Sequence, residues 1–331
     1  MKLYFAPLDG VTGFIYRNAF AEFFGGPDKY FAPFISPCHN PKLKGREIKD
    51  LLPENNSKKV NLVPQIMANN AEYFIKGARQ IANMGYKEVN LNAGCPSGTV
   101  VPKGRGAGFL KDTYLMEKFF DEVFCKLDMK ISVKTRIGVT DSSEFEEIME
   151  VYNKYPFAEV IVHPRTRVQL YKGEPDMKAF DYAYQVSKNP LCYNGNIFMV
   201  EDYDNIVSRY NIDSVMLGRG LLRNPNLAND IRLKEEEQVN NSFLKNSVHN
   251  REYNHERRVP KEVIRAFHDK LYADFMVEMS SDKHLLNKMI EMWNYLSFMS
   301  IDQHKCAKMI RKAQNVSKYE KAVNEIFDNF M

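Results

Sequence analysis

Short runs of β-branched and aromatic residues recur along the first two thirds of the chain, each closed off by Gly, Pro, Asn or Asp. Between them lie longer stretches in which apolar residues return every three or four positions. The short runs predict strands at Leu3–Ala6, Lys29–Phe34, Val60–Ile66, Glu88–Asn92, Lys130–Arg136, Glu159–His163, Leu191–Asn194 and Ser214–Leu217. The longer stretches predict helices that include Asn70–Met84, Tyr114–Lys126, Ser142–Lys154, Ala179–Ser187, Val200–Tyr210 and Asn226–Glu237. Strands alternating with helices pair in parallel through right-handed crossovers. Eight such strands in about 240 residues suit the α/β class, as a closed (β/α)8 TIM barrel. A doubly wound sheet competes with it, but the Gly-x-Gly-x-x-Gly expected after its first strand is replaced by Pro7-Leu8-Asp9-Gly10.

From Gln238 the composition shifts to Asn, Ser, Glu and His, so the barrel domain is expected over 1–240 and a linker over 241–258. Residues 259–331 then carry helical periodicity with few turn signals, which predicts a C-terminal all-helical domain. Its helices are read near Pro260–Met279, Asp282–Met299 and Asp302–Ala313, with a last one from Ser317. Pro260 suits a first helical turn, and Ser317 with Glu320 matches a capping box. There is no solenoid repeat and no low-complexity tract.

Composition narrows the class without choosing a function. The chain has 331 residues, 44% hydrophobic and 27% charged, as an ordinary folded protein does. No apolar run near the N-terminus is long enough for a signal peptide, and none reaches the length of a membrane span. The five cysteines are scattered with no Cys-x-x-Cys, which argues against a disulfide framework and against a metal site. A cytoplasmic protein is expected. The net charge of +4 permits an anionic partner without demanding one.

Candidate chemistry collects where a barrel would use it, at the C-terminal ends of the strands. The tips carry Gln65, then Asn92 and Cys95, Lys134 and Arg136, His163 and Arg165, Asn194 and Asn196, and finally Gly218, Arg219 and Gly220. At the fourth tip, Gly94-Cys95-Pro96 pushes a thiol off the end of an apolar strand, because Pro96 fixes φ and offers no N–H to continue the ladder. A free cysteine in such a turn is ordinarily structural; donors and cations at six successive tips argue for a site. Lys103-Gly104-Arg105-Gly106-Ala107-Gly108 follows as a flexible cationic loop. Asn194-Gly195-Asn196 and Gly218-Arg219-Gly220 sit where barrels commonly hold a phosphate, although two tight turns would look the same.

Together, Ala6-Pro7-Leu8-Asp9-Gly10-Val11-Thr12, Gln65-Ile66, Asn92-Ala93-Gly94-Cys95-Pro96-Ser97, Lys134-Thr135-Arg136, His163-Pro164-Arg165-Thr166, Asn194-Gly195-Asn196 and Gly218-Arg219-Gly220 resemble the tRNA-dihydrouridine synthases, bacterial type. The blocks fall in that family's order, and the helical tail is similar to its RNA-binding domain. The resemblance implies an FMN enzyme that reduces the C5–C6 bond of uridine in tRNA, with NADPH (or NADH) resupplying the flavin. By position, Pro7 and Leu8 would line the flavin ring, and Gln65, Lys134 and His163 would bond its polar edge. Asn194, Gly195 and Asn196, with Gly218 and Arg219, would hold its phosphate. Asn92 and Arg165 would lie near the uracil, and Cys95 would be the general acid. A thiol with an unperturbed pKa of roughly 8.5 is mostly protonated at neutral pH, as a donor must be. Leu8 stands where Met is common, Gly13 where Asp is frequent, and Pro164 where Gly or Ala usually follows the His. Asn196 replaces an Asp seen in many members, and its amide brings no charge.

A uracil inside folded tRNA must be splayed out to reach such a site, which calls for a basic surface. Lys103 and Arg105 border the thiol, and Lys305, Lys308, Arg311 and Lys312 cluster on one face of a predicted helix. Residues 256–331 hold 13 basic against 11 acidic side chains, so only a patch there is cationic. Trp293, Tyr295 and Phe298 read as core. The protein is expected to act as a monomer, with no membrane or metal partner. Two alternatives stay open at the level of sequence: a flavin barrel acting on a small molecule, as dihydroorotate dehydrogenases and enone reductases do, and an RNA-binding chaperone on a relic barrel.

Overall fold

Nine strands, all parallel, are present among the described residues (1–37, 45–243 and 259–331) of the computed structural model. They are β1 (Lys2–Phe5), β2 (Lys29–Phe31), β3 (Leu62–Val63), β4 (Gln65–Ile66), β5 (Glu88–Ala93), β6 (Lys130–Arg136), β7 (Glu159–His163), β8 (Leu191–Tyr193) and β9 (Ser214–Leu217), in the order β3-β2-β1-β9-β8-β7-β6-β5-β4. β3 and β4 are one predicted strand broken at Pro64. Lacking an N–H, Pro64 cannot continue the ladder, but its carbonyl accepts from the Asn90 N–H at 2.9 Å. With β3 paired to β2 and β4 to β5, the sheet forms a nearly closed barrel.

The helices in chain order are α1 (Phe14–Phe23), α2 (Gly45–Leu51), α3 (Ala71–Asn83), α4 (Thr113–Lys126), α5 (Phe145–Tyr152), α6 (Met177–Val186), α7 (Val200–Val207), α8 (Arg219–Arg223), α9 (Leu227–Phe243), α10 (Lys261–Glu278), α11 (Asp282–Leu296), α12 (Gln303–Arg311) and α13 (Val316–Asn329). Two units divide the described residues. One comprises Met1–Gly10, Pro27–Asn196 and Asn205–Leu217, and the other Val11–Gly26, Ile197–Asp204 and Gly218–Met331.

All nine strands lie in the first unit. Three of its outer helices, α3, α4 and α6, begin on side-chain caps that satisfy otherwise orphaned N–H groups: Asn70 accepts from the Tyr73 N–H, Asp112 from Leu115 and Asp176 from Ala179. Inside the barrel, Tyr4, Ala6, Phe31, Val63, Ile161, Cys192 and Met216 form a buried cluster, with Leu8 packed against it. The interior is different along β4, β5 and β6. Successive strand residues point to opposite faces, and buried Gln65, Asn90, Asn92 and Ser132 share one face here, while Val89, Leu91, Ile131 and Val133 take the other.

In the second unit, Phe267 of α10 meets Tyr16, Phe23 and Phe24 edge-on, with centroids at 5.7, 5.9 and 5.0 Å. A buried polar chain links its C-terminal helices. Trp293 Nε1 donates to Tyr319 Oη at 2.9 Å, that hydroxyl lies 2.7 Å from His268 Nε2, and His268 Nδ1 lies 2.8 Å from Asp269 Oδ1. Burial holds the His268 pKa below its usual value, so the ring is neutral and donates from Nδ1.

Trp293 is core, as expected, whereas Tyr295 and Phe298 are half-buried. The expected capping box at Ser317 and Glu320 is not the one used. Asn315, two residues earlier, caps α13 by accepting from Lys318 N–H, and Glu320 instead accepts from Tyr272 Oη. Pro260 is the N-cap of α10 rather than its first helical residue. Helices α1, α2 and α8 add to the expected set, and α9 runs on to Phe243, past the expected barrel edge at 240. Most of the expected linker lies outside the described residues, as does Cys38. No helix among the described residues is long and apolar enough to cross a membrane.

Candidate active site

The thiol loop leaves the tip of β5. Asn92 Oδ1 accepts from the N–H groups of Gly94 and Cys95 at 3.1 and 2.9 Å, a side-chain turn that bends the chain and aims the half-buried Cys95. The basic glycine loop then folds back onto it. Ala107 N–H donates to the Cys95 carbonyl at 2.9 Å, and Gly106 approaches so closely that a Cβ there would lie 2.7 Å from that oxygen. Gly106 also has φ +56°, the left-handed region that glycine tolerates best. The loop is a built feature that seats the thiol.

Cations gather beside it. Arg136 donates from Nε to the Gly94 carbonyl at 2.9 Å and from Nη1 to the Thr166 carbonyl at 2.8 Å, tying the thiol loop to the loop after β7. The Tyr171 ring lies 5.5 Å from its guanidinium and 6.0 Å from the His163 ring. Burial and neighbouring Arg165 help pull the Arg136 pKa down to about 10. Lys134 is partly exposed, but its side chain runs deep enough that burial, helped by Arg136, lowers its pKa to about 8. No carboxylate among the described residues hydrogen-bonds to it. A desolvated ammonium in that position suits an anionic ring or phosphate. Burial pushes the Cys95 thiol up and Asp9 adds to the rise, while the Ser97 N–H, Arg136 and Lys134 pull the other way. The net rise keeps the sulfur protonated at neutral pH.

The structure gathers most of the other predicted residues of this unit onto the same strand ends. Gln65 is fully buried, its Nε2 donating to Asn90 and its Oε1 accepting from Asn92, both at 2.8 Å. His163 Nε2 lies 3.0 Å from Arg165 Nη1, and Arg165 Nη2 donates to the Gly173 carbonyl at 2.6 Å. Arg165 is thus wholly buried and braces His163. Asn194 donates to the Met216 carbonyl at 2.8 Å, and Asn196 reaches Glu174 at 3.4 Å. Gly195 has no left-handed φ; it is small because a Cβ would fall 2.0 Å from the Tyr193 hydroxyl. Pro7 and Leu8 are half-buried where the chain leaves β1. Lys103 is exposed, and Arg105 donates to Asn69 at 3.4 Å.

In the second unit, Gly218 is the N-cap of α8 and Arg219 its first residue, with the guanidinium 5.4 Å from the Phe198 ring. Lys305, Lys308, Arg311 and Lys312 are all exposed along α12, whose opposite face buries Cys306 and Ile310. Sequence reasoning placed Arg136 at a strand tip but gave it no role, and did not single out Tyr171. Arg136 follows Lys134 at the same strand tip, which was a usable signal; Tyr171 is one aromatic in a loop and gave none.

A profile described as Dihydrouridine synthase (Dus) matches residues 4–329. The chain belongs to the dihydrouridine synthase family. It is therefore an oxidoreductase. Over 228 residues it is 26% identical to the probable tRNA-dihydrouridine synthase of Staphylococcus aureus (strain COL), covering 66% of this chain and 68% of that one. Over 235 residues it is 28% identical to probable tRNA-dihydrouridine synthase 2 of Bacillus subtilis (strain 168), covering 66% and 69%. Solved structures share the fold. A variant of NCR from Zymomonas mobilis superposes with TM-score 0.52 at 15% identity, over 70% of this chain and 86% of that one. A morphinone reductase mutant in complex with tetrahydroNAD gives TM-score 0.50 at 13% identity, again over 70% and 86%. In this chain Asn92-Ala93-Gly94-Cys95-Pro96-Ser97, the block that resembles the family most, forms the bend at the tip of β5.

Proposed function

We propose that this dihydrouridine synthase reduces the C5–C6 double bond of a uridine in tRNA, with bound FMN, NADPH (or NADH) as reductant and Cys95 as proton donor. On this reading it acts as a cytoplasmic monomer. The observation that carries it is a thiol kept protonated by burial on a loop seated beside Lys134 and Arg136.

The residues fit a flavin: Lys134 is a desolvated cation without a carboxylate partner. Lys134, His163 and Gln65 would hold the polar edge of the ring, Pro7 and Leu8 its face, and Asn194, Gly195 and Asn196 the phosphate side. FMN held there would supply hydride chemistry, with C6 of the uracil as the acceptor. Cys95 gives its proton to C5 on the thiol's side of the base, and its raised pKa keeps that proton in place until then. Asn92 fixes the turn that carries the thiol and so orients the donor. Lys103 and Arg105 meet the phosphates of a splayed nucleotide, and Lys305, Lys308, Arg311 and Lys312 meet the tRNA backbone elsewhere.

Cys95→Ala tests the reading. The purified variant should remain yellow and bind unmodified tRNA, yet form dihydrouridine at least about a hundredfold more slowly, as expected for loss of a general acid. Undiminished dihydrouridine formation, measured by mass spectrometry of digested tRNA, would refute the assigned role.

A further inference from the structure

One line of hydrogen bonds runs from the start of β5 to the thiol loop, entirely within the first unit. Lys29 Nζ donates to Glu88 Oε2 at 2.6 Å, and Ser132 Oγ donates to Glu88 Oε1 at 3.1 Å. Asn90 Nδ2 donates to Ser132 Oγ at 2.9 Å, Gln65 Nε2 to Asn90 Oδ1 at 2.8 Å, and Asn92 Nδ2 to Gln65 Oε1 at 2.8 Å. Asn92 Oδ1 then accepts from the N–H groups of Gly94 and Cys95. From the thiol loop to Glu88, every bond is donated in the same direction.

The two ends explain why. A carboxylate can only accept, and a backbone N–H can only donate. The three amides between them can each be turned over, and Gln65, Asn90 and Ser132 have no exposed surface through which water would correct a reversal. We propose that Glu88, held by the Lys29 ammonium, is a positioning residue. It fixes the polarity of the chain, so that Asn92 presents oxygen rather than NH2 to the Cys95 turn. The residue that sets the thiol's seat therefore lies at the opposite end of the strand.

The logic predicts a pattern across variants. In Glu88→Gln one side of the new amide faces Lys29 and the other faces Ser132. With its NH2 toward Lys29 it meets a donor. With its NH2 toward Ser132 the hydroxyl must accept from both the new amide and Asn90, which leaves its own buried proton without an acceptor, unless the reversal passes along the chain until Asn92 opposes the backbone N–H groups. Adding Lys29→Met removes the ammonium, and the glutamine oxygen can then accept from Ser132 with nothing mismatched. Ser132→Ala cuts the chain without touching Glu88.

The inference rests on the reading of Cys95 as proton donor, and the test keeps the two apart. Alkylation of Cys95 by iodoacetamide in the full-length protein, followed by mass spectrometry, reports the thiol's seat directly. Steady-state kinetics with tRNA report its use. In Glu88→Gln and in Ser132→Ala, alkylation should quicken about tenfold and kcat should fall about tenfold, the scale of one mispaired buried polar group. KM for tRNA should not move. Lys29→Met/Glu88→Gln should return to within about twofold of the starting protein. Unchanged alkylation in both Glu88→Gln and Ser132→Ala overturns the inference, and should Glu88→Gln fail to fold, Ser132→Ala and the double variant decide it. Altered alkylation with an unchanged kcat would uphold the chain's polarity and sink the catalytic role of Cys95.

Discussion

Gly106→Ala measures how tightly the glycine loop holds the thiol. The position has φ +56°, and its new Cβ would stand 2.7 Å from the Cys95 carbonyl oxygen and 2.9 Å from the Cys95 Cβ. A left-handed backbone costs an L-residue about 1–2 kcal/mol. Pushing aside a backbone carbonyl and its neighbour adds about 1–3 kcal/mol, as overpacking a tight contact does. The total expected loss is about 2–5 kcal/mol, a sum of the same two effects. Two other glycines of the loop separate them. Gly104 also has a positive φ, +65°, but its Cβ would meet only the Asn69 side-chain amide, at 3.1 Å; Gly104→Ala should cost the conformational share alone, about 1–2 kcal/mol. Gly98 has neither a positive φ nor any atom within 4 Å of a Cβ, so Gly98→Ala should be neutral or stabilising by up to about 1 kcal/mol. Urea midpoints at constant m-value give the ranking, and Cys95 alkylation shows whether the loss is local. A Gly106→Ala protein no less stable than Gly104→Ala would show that the loop does not press on Cys95.

Other tests address the charges. Lys134→Met should weaken flavin affinity by about tenfold or more, for want of a desolvated cation. In the starting protein that affinity should fall as pH rises past about 8, where Lys134 loses its proton. The variant's fluorescence titration should be flat over the same range, and a parental profile without that limb would count against the assignment. Glu159 accepts from Tyr4 Oη at 3.1 Å and Ser214 Oγ at 2.6 Å, and burial raises its pKa. A carboxyl raised on folding contributes stability below its unfolded pKa that is lost as pH rises through the folded one. Glu159→Gln should therefore match the parent in acid and exceed it at neutral pH in thermal melts. Glu159→Ala, which strands both hydroxyl donors, should lose about 1–3 kcal/mol. His268 has the opposite sign for a base: its pKa is lowered on folding, so stability is lost as pH falls below 6.5. His268→Asn should flatten that acid limb, and an unaltered slope would mean the titration lies elsewhere.

How far the sequence reached follows from the range of the signals. The strands were legible because alternation and β-branching act over a few residues, and the break at Pro64 is one residue's chemistry. Helix α1 was not, because Gly13 caps it without any side-chain hydrogen bond and no acidic residue opens it. Helix α8 is five residues long, too short to show a period. Asn92, Cys95, Lys134 and His163 could be singled out because each sits at a strand end. Glu88, Asn90 and Ser132 lie deeper along the same strands, and their partnership depends on register. Asn90 faces Gln65 on one side and Ser132 on the other, pairs 25 and 42 residues apart in sequence. Local pattern cannot supply that distance.

Register also explains why a polar stripe runs through this interior along β4 to β6. Around β1, β2, β7, β8 and β9 the barrel is filled mainly by Tyr4, Phe31, Ile161, Cys192 and Met216, with Glu159 and Ser214 as one buried polar pair on the same faces. Along β4 to β6 amides and a hydroxyl take their place, although each such group is costly to bury unless fully paired. Branched aliphatic residues would fill the same volume without that demand. What they could not do is transmit direction. A hydrophobic filler holds a loop only by shape, whereas a chain of amides anchored on a carboxylate distinguishes the oxygen of Asn92 from its nitrogen. The turn that carries Cys95 needs that distinction, because it is built on two N–H groups seeking an acceptor. The polar stripe therefore belongs to the site as much as the thiol does, and stability gained by replacing it with leucine or valine should come with a displaced Cys95.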